Sequence, residues 1–452
     1  MSWTGNVVTD LNYVLLNADR DGVEPLKNYD LALFDRIRKT AKKENIFLGA
    51  GGRGAIRTNT PSNARTRVEA EDMPYPEKYG FQRFTFDTHQ YVATVGLTQE
   101  DINRTKNSDN VKQSVIDMAE FLQEDAVNVL SRKLNMAMKG DGTGRLALVS
   151  GSTDSANTTF TITYDNKAAT FGWDTSQMME DGIRVDVLNL NSSTWTYKLE
   201  NVVVSNVTST GCTLTVDSQS TYTADPADND FIFAAKAATV SAGAITYREM
   251  QGLMAICDDG TSSFSSMKGG CFKGTTFQGL NRTSYPQLKA SVYDYSSGGT
   301  AGTWDWSDIM DPIDESDGRA NRNKVSAVYC NHKMMRALSR KAAAEMNAIV
   351  VSTDNSVTGS WYTKAINTGK RVIPIIQMNT LPNGMVFGVA EDDLVLYQPV
   401  PIDWVEMYGS KPFFDAPAAR NRTKEAWLAF EGELIATRCD NCFRIQGLAT
   451  DE

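Results

Sequence analysis

Apolar positions change their spacing several times along the chain, and each change marks a different kind of element. Residues 109–139 carry the clearest helical pattern: Val111, Val115, Met118, Leu122, Ala126, Val129 and Met136 recur near a 3.6-residue period. Asp109 is suited to cap the start, and Lys139-Gly140-Asp141-Gly142 provides a glycine stop. A rod of about 28 residues would be roughly 42 Å long. Upstream, Phe84, Phe86 and Val92 alternate with polar neighbours, the period of a half-exposed strand. Residues 51–98 are read as two long strands joined by an irregular tip around Pro61, Pro74 and Pro76. Such a two-stranded arm is marginal in water and needs a surface to lie on.

Residues 150–245 lose the helical period. The short runs FTITY, IRVDVLNL, ENVVVSNV, TLTVD and DFIFAA are separated by turn residues, which predicts a small barrel or sandwich inserted between helical regions. Beyond it the pattern is mixed. Helices are expected over 247–258, 306–320 and 332–346, with a strand over 324–330. Short strands follow in RVIPIIQM, GMVFGVA, DDLVLYQ, EGELIAT and FRIQGL. Residues 1–50 hold only short apolar clusters and one candidate helix over 31–43, in which Leu33, Phe34 and Ile37 share a face. The fold class expected is α+β.

Composition narrows the function. Of 452 residues, 41% are hydrophobic and 22% charged, enough for a sizeable core and unlike a disordered chain. The 45 Lys+Arg against 55 Asp+Glu give a net charge of −10, which disfavours a protein that grips DNA over its whole surface. No run of about 18 apolar residues occurs, so no membrane helix is expected. The start, MSWTGNVVTD, lacks the basic and apolar regions of a secretory signal. Six cysteines are too few for a disulfide scaffold and suit a reducing cytoplasm.

Motifs with chemical meaning dissolve on inspection. Gly49-Ala-Gly51-Gly52-Arg53-Gly54 fits a dinucleotide fingerprint, but Pro61 and the Thr/Asn cluster deny it the following helix. Gly140–Arg145 lacks the Gly-Lys-Ser/Thr ending of a phosphate loop and closes a helix where that loop would open one. Cys439-Asp-Asn-Cys442 lacks the second pair of a zinc site, and the bland reading is two packed thiols. His332 reads as a surface or capping residue. Asp258-Asp259 and Asp392-Asp393 read as turns, and Trp304, Trp306, Trp361 and Trp404 as packing. No catalytic residue, cofactor site or metal site is nominated.

Charge order is more telling. Arg36, Arg38, Lys39, Lys42, Lys43, Arg53, Arg57, Arg65 and Arg67 crowd residues 36–67, opposed by Glu44 alone, and Glu69, Glu71, Asp72 and Glu77 follow. A basic arm beside an acidic tip on an acidic body suits head-to-tail contacts between identical chains. A solvated loop is the bland alternative. A nucleic-acid arm is a third, without the interleaved aromatics of a stacking platform.

The order of parts, with HQYVATVGLTQEDI leading into the helix, MAMKGDGTGRLALV leaving it, then YREMQGLMAICDDG, FQGLNRTSYPQLKA and ELIATRCDNCFRIQGL, resembles the major capsid proteins of tailed bacteriophages, which share the Hong Kong 97-type fold. The resemblance implies an N-terminal arm at 1–50 and an extended β-hairpin loop at 51–98 that overlaps a neighbouring subunit. It implies a peripheral domain at 99–149 with its spine helix at 109–139, and an axial domain at 246–400. Return strands to the peripheral domain would follow at 401–452, with 150–245 an inserted β-domain. It implies a shell of hexamers and pentamers around double-stranded DNA, built in the host bacterial cytoplasm and kept in the virion. A separate scaffolding protein, a portal, a decoration protein and weak non-specific contact with the packaged DNA would be the further partners. Arg53, Arg57, Arg65, Arg67, Glu69, Glu71, Asp72, Glu77, Lys78, Phe84 and Phe86 become candidate subunit-contact residues. Lys78, the lone lysine of 51–98, is the candidate for the lysine–asparagine crosslink of some members, which would need a desolvated amine and a nearby carboxylate. The layout shows no long charged helical segment ahead of the arm, so no fused scaffold is expected. Alternatives are an encapsulin-type shell, a tail or fibre protein, and, in another class, a cytoplasmic enzyme with an unrecognised carboxylate site.

Overall fold

The computed structural model describes residues 33, 36–37, 51–59, 80–98, 118–155, 158–164, 179, 181–191, 194–208, 210–260, 276–295, 301–318, 324–346, 365–368, 371–378, 381, 383–406, 413–415 and 423–450. The chain divides into two units: 1–31, 90–135 and 398–432 form one, and 32–89, 136–397 and 433–452 the other.

Strands β1 (Gly51–Asn59) and β2 (Gly80–Asp87) form an antiparallel two-stranded ribbon, registered from Gly51↔Asp87 to Asn59↔Gly80 with an irregularity between Arg57 and Asn59. The ribbon is shorter than the sequence reading. After Thr88 the chain starts a separate strand, β3 (His89–Thr98), which leaves β2 and pairs with a strand near the end of the chain. Residues 99–117 lie outside the described residues. Helix α1 (Met118–Lys139) follows, so the start of the expected helix at 109–117 is not described. Its buried side is Ala126, Leu130, Leu134, Ala137 and Met138. Val129, assigned to the apolar face from its spacing, is 51% exposed. The actual stripe steps by four from Ala126, and Val129 lies about 100° away from its neighbour on that stripe.

The middle of the chain is a closed barrel. Strands β4 (Arg145–Ser155), β5 (Thr159–Tyr164), β6 (Arg184–Asn191), β7 (Thr194–Ser205), β8 (Gly211–Thr215), β9 (Thr221–Tyr222) and β10 (Phe231–Ala234) form one antiparallel sheet in the order β6-β10-β4-β5-β8-β7-β9. The further β6–β7 pairing joins its sides into a ring. All five expected strands are present, and the barrel alternative holds. The domain starts at Arg145, not at 150, because β4 is itself a stave paired with both β10 and β5. Alternation sets the interior. Phe160, Ile162, Leu199, Val202, Val204, Cys212, Leu214 and Ile232 are all at most 2% exposed. On the outer side Leu148, Leu188, Trp195, Phe231 and Phe233 pack with the hairpin β11 (Ala238–Ser241) and β12 (Ala244–Tyr247).

Both ends of the insertion meet. Gly252 N–H donates to Gly140 O (3.1 Å), Asp141 bridges Gln251, Ala234 N–H donates to Gly144 O (2.9 Å) and Arg248 N–H to Ala237 O (2.8 Å). Replacing 145–247 by a short glycine-serine linker should therefore leave the rest of the chain folded. The far-UV spectrum should lose strand signal while a cooperative thermal transition survives. Loss of that transition would show that the barrel is structurally required.

After the barrel, the expected helix over 247–258 shrinks to α2 (Leu253–Ile256). The chain ahead of it is extended through β12 and held by the Gln251 bridge. The small hairpin β13 (Thr276–Phe277) and β14 (Leu280–Asn281) follows. Then come β15 (Ser291–Asp294), α3 (Trp306–Gly318), β16 (Ala327–Cys330), α4 (His332–Met346), β17 (Ala365–Asn367), β18 (Val372–Gln377) and β19 (Val386–Val389). Next are β20 (Leu394–Trp404), β21 (Phe413–Asp415), β22 (Thr423–Ala436) and β23 (Phe443–Gln446). A six-stranded mixed sheet has the order β15-β23-β19-β16-β18-β17. Its core joins Trp304, Trp306, Ile309 and Ile313 from α3 and its approach, Met334 and Leu338 from α4, and Val328, Ile373, Ile375, Phe443 and Ile445 from the sheet. The last strand, β23, thus belongs to this sheet, while β20, β22, β21 and β3 form another, with β22 pairing β20, β21 and β3. Among the described residues no helix is long and apolar enough to cross a membrane.

Candidate functional site

Two places tie the ends of the chain's arm to the six-stranded sheet unit. The first is the root of the ribbon. Phe84 and Phe86 alternate inward on β2 and are 4% and 8% exposed. Their rings lie 6.1 Å apart, and Phe86 meets the edge of Tyr397 at 5.3 Å. Gly54, opposite Phe84 in the ribbon, leaves room for that ring: a Cβ there would come within 2.2 Å of it. Thr85 N–H donates to Gln278 O (3.3 Å), and Gln287 donates its side-chain N–H to Thr58 O (3.2 Å). The two phenylalanines named as contact candidates are therefore engaged inside their own chain. Arg53 and Arg57 lie on β1, while Arg65, Arg67, Glu69, Glu71, Asp72, Glu77 and Lys78 lie outside the described residues.

The second anchor is at Arg36. Leu33 and Ile37 are fully buried, as their shared face predicted, and each contributes about 1.5–3 kcal/mol on burial. Arg36 donates to both carboxylate oxygens of Glu391 (2.7 and 2.8 Å). Tyr329 donates its hydroxyl to the same carboxylate (2.5 Å) and Ser326 adds a fourth bond (3.2 Å). Burial alone would raise the Glu391 carboxyl, but the Arg36 and Tyr329 bonds outweigh it and hold it below the ordinary value of 4.5. Burial also pushes the Tyr329 hydroxyl far up, so it stays a donor. A carboxyl held low in the folded state gives stability above its unfolded value and loses it as pH falls through the folded one. Wild-type stability should thus drop more steeply than that of a Glu391→Gln variant below roughly pH 4.5. Parallel curves from denaturant titrations would sink the assignment.

His89, at the turn from β2 to β3, meets Glu433 through Nδ1 (2.6 Å), and the other Glu433 oxygen accepts from Gln251 N–H (2.9 Å). His332, at the start of α4, is exposed as expected. Gly51–Gly54 lies in strand β1, which runs on to Asn59, so these glycines open a strand and not the helix that a dinucleotide loop needs. Residues 140–145 cap α1: Gly140 N–H donates to Met136 O (3.1 Å), and Asp141 accepts from Thr143 N–H (2.9 Å). Cys439 and Cys442 are buried in a tight turn, with Cys442 N–H donating to Cys439 O (2.9 Å). Burial pushes the Cys330 thiol up to about 12 and that of Cys212 to about 11, the behaviour of inert packed thiols. Trp304 and Trp306 are core residues, and Trp304 donates its indole N–H to Ala449 O (2.9 Å).

Sequence reading missed the buried charges. Asp258, taken as a turn residue, is wholly buried and faces Arg444, also wholly buried, at 3.4 Å. Arg282, 1% exposed, donates to the carbonyls of Asp258 and Ala255. Among the described residues no group of three or more histidine, cysteine or acidic side chains could hold a metal ion.

No protein-family model matches the chain, and no curated protein does. Solved structures do. A chain of the cyanophage A-1(L) capsid asymmetric unit aligns over 95% of this chain and 96% of its own, with 10% identity and a TM-score of 0.50. A chain of the capsid of a native GTA particle aligns over 99% and 100% at 8% identity and 0.45. A Gordonia phage Cozz chain aligns over 91% and 86% at 10% identity and 0.43. At such identities the shared property is the fold, and the likeness to the cyanophage chain shows it over nearly the full length of both chains: this is a mixed α+β chain with the Hong Kong 97-type capsid fold.

Proposed function

We propose that this chain is the major capsid protein of a tailed bacteriophage, a structural protein that assembles with itself into the hexamers and pentamers of an icosahedral head. The observation that carries the reading is the end-to-end likeness to the cyanophage A-1(L) capsid chain. The ribbon β1–β2 supports it. A two-stranded ribbon is marginal in water, and this pair is rooted by Phe84 and Phe86 while the segment that joins its strands, 60–79, holds the charged candidates Arg65, Arg67, Glu69, Glu71, Asp72, Glu77 and Lys78. In this reading the tip contacts a neighbouring subunit, and the barrel at 145–247 projects as a decoration or contacts adjacent capsomers. Portal, scaffolding and decoration proteins are the heterologous partners. The packaged DNA meets a net acidic wall that holds it weakly.

Electron microscopy of the chain expressed alone and beside its candidate scaffold, with sedimentation, tests the reading. Closed shells or rings of five and six are expected. Replacing residues 60–79 by a short linker should leave the body folded and abolish closed shells. A monodisperse monomer or dimer under every condition would overturn it.

A further inference from the structure

Helices α3 and α4 pack side by side over one face of the six-stranded sheet, and both lie in the same structural unit. Their charges are segregated. From Asp305 through the end of α3 the chain carries Asp305, Asp308, Asp311, Asp314, Glu315 and Asp317, with no lysine or arginine. Helix α4 carries Lys333, Arg336, Arg340 and Lys341, with Glu345 alone opposing. On α3, Asp308 accepts from Tyr295 (3.0 Å), Glu315 from Tyr293, and Asp317 from Arg371 (2.5 Å). Lys341 lies over the Trp304 ring at 5.6 Å. Lys333 has a partner of its own, and Asp305 lies ahead of α3. Asp311 and Asp314 on α3, and Arg336 and Arg340 on α4, are exposed and make no hydrogen bond or ion pair among the described residues.

Spacing makes these four a matched set. Asp311 and Asp314 are three residues apart and Arg336 and Arg340 four apart, so each pair shares one face of its helix. The rises are about 4.5 Å and 6 Å, close enough for two parallel ion pairs. The pairs do not meet within one chain, because α3 and α4 face each other through Ile309, Ile313, Met334 and Leu338 and turn their charges outward.

We infer that the acidic face of α3 in one copy binds the basic face of α4 in the next, a head-to-tail contact between identical chains that repeats around a rotation axis. It rests on the shell reading above and gives it a specific surface and polarity. A contact in which one patch meets a different patch closes into a ring when the rotation divides the circle. Charge complementarity fixes the order of copies and excludes wrong orientations. A second copy fits better than polyphosphate, because the acidic helix beside α4 and the net charge of −10 oppose a polyanion.

The test uses the full chain with surface substitutions on one helix at a time. Asp311→Lys with Asp314→Lys, and separately Arg336→Glu with Arg340→Glu, should each leave a folded chain by circular dichroism. Each should raise the concentration needed for ring formation by about tenfold or more at low salt, where exposed charges are least screened. The chain carrying all four substitutions should form rings again. An equimolar mixture of the two pair-reversed chains should form rings of six and none of five, since alternation closes only on an even number. Pair-reversed chains that assemble like wild type would overturn the inference and leave the shell reading intact. So would a fourfold variant that stays folded yet apart. Normal rings from the Arg336→Glu, Arg340→Glu chain, with loss only of retained nucleic acid, would assign α4 to polyphosphate and overturn it equally. A wild-type chain that never forms rings would withdraw the shell reading, and this inference with it.

Discussion

Replacing Asp258 with alanine destabilises the chain by about 3–5 kcal/mol, the usual cost of leaving a buried charge without its partner. Asp258 and Arg444 are each wholly buried, and their side chains meet at 3.4 Å. Burial lowers the Arg444 guanidinium below its ordinary value, and Asp258 is the charge that opposes this most. Without the carboxylate the buried guanidinium loses the charge that most favours it. The backbone of Asp258 keeps its own work, accepting from Arg282 and from Ala290 N–H (3.1 Å), so the loss reads the side chain alone. Denaturant titration of the unassembled chain measures it. A double variant, Asp258→Ala with Arg444→Met, should recover at least half, because a buried pair is often replaceable by apolar groups. A single variant as stable as wild type would show that Arg444 does not depend on Asp258.

Gly252→Ala should cost about 3 kcal/mol, from overpacking and the loss of one hydrogen bond. The difficulty is space. The backbone at Gly252 is extended, at φ −117° and ψ −162°, which any residue adopts. A Cβ there would lie 2.3 Å from Met138 O, 2.4 Å from Met138 C and 2.6 Å from Ala137 O. All three are backbone atoms near the end of α1, and none can swing aside as a side chain would. Yielding means losing the Gly252 to Gly140 bond (3.1 Å). Gly151→Ala is the control, since nothing lies within 4 Å of its Cβ position. Equal melting temperatures for the two variants would refute the argument.

What the sequence could reveal followed from the range of each interaction. Helix α4 was legible over its full length, and α3 to within two residues, because apolar positions such as Ile309, Ile313, Met334 and Leu338 repeat locally. The five barrel strands were legible from alternation and turn residues. The split at Thr88 was hidden because the partner of β3 is β22, far along the chain. The Arg36–Glu391 pair joins residues 355 apart, and no local pattern carries that. Gly252 looked like a helix residue until the backbone of α1 was beside it. The opposed charges of α3 and α4 stand in the sequence, but they acquire meaning only when the two helices are neighbours on one sheet.

The closed barrel also sets an order of events during folding. Its staves lie between Arg145 and Ala234, whereas the contact between Gly140 and Gly252 spans the whole insertion. Closing that span around an unfolded insertion costs chain entropy, which grows with the length of the loop. Once the barrel has formed, its two ends are already adjacent and the closure is short. The barrel therefore sets an order: the end of α1 and the start of α2 meet only after its staves have paired. Pulse-labelling hydrogen exchange should protect the barrel strands before the Gly252 amide, and simultaneous protection of the two would refute the order.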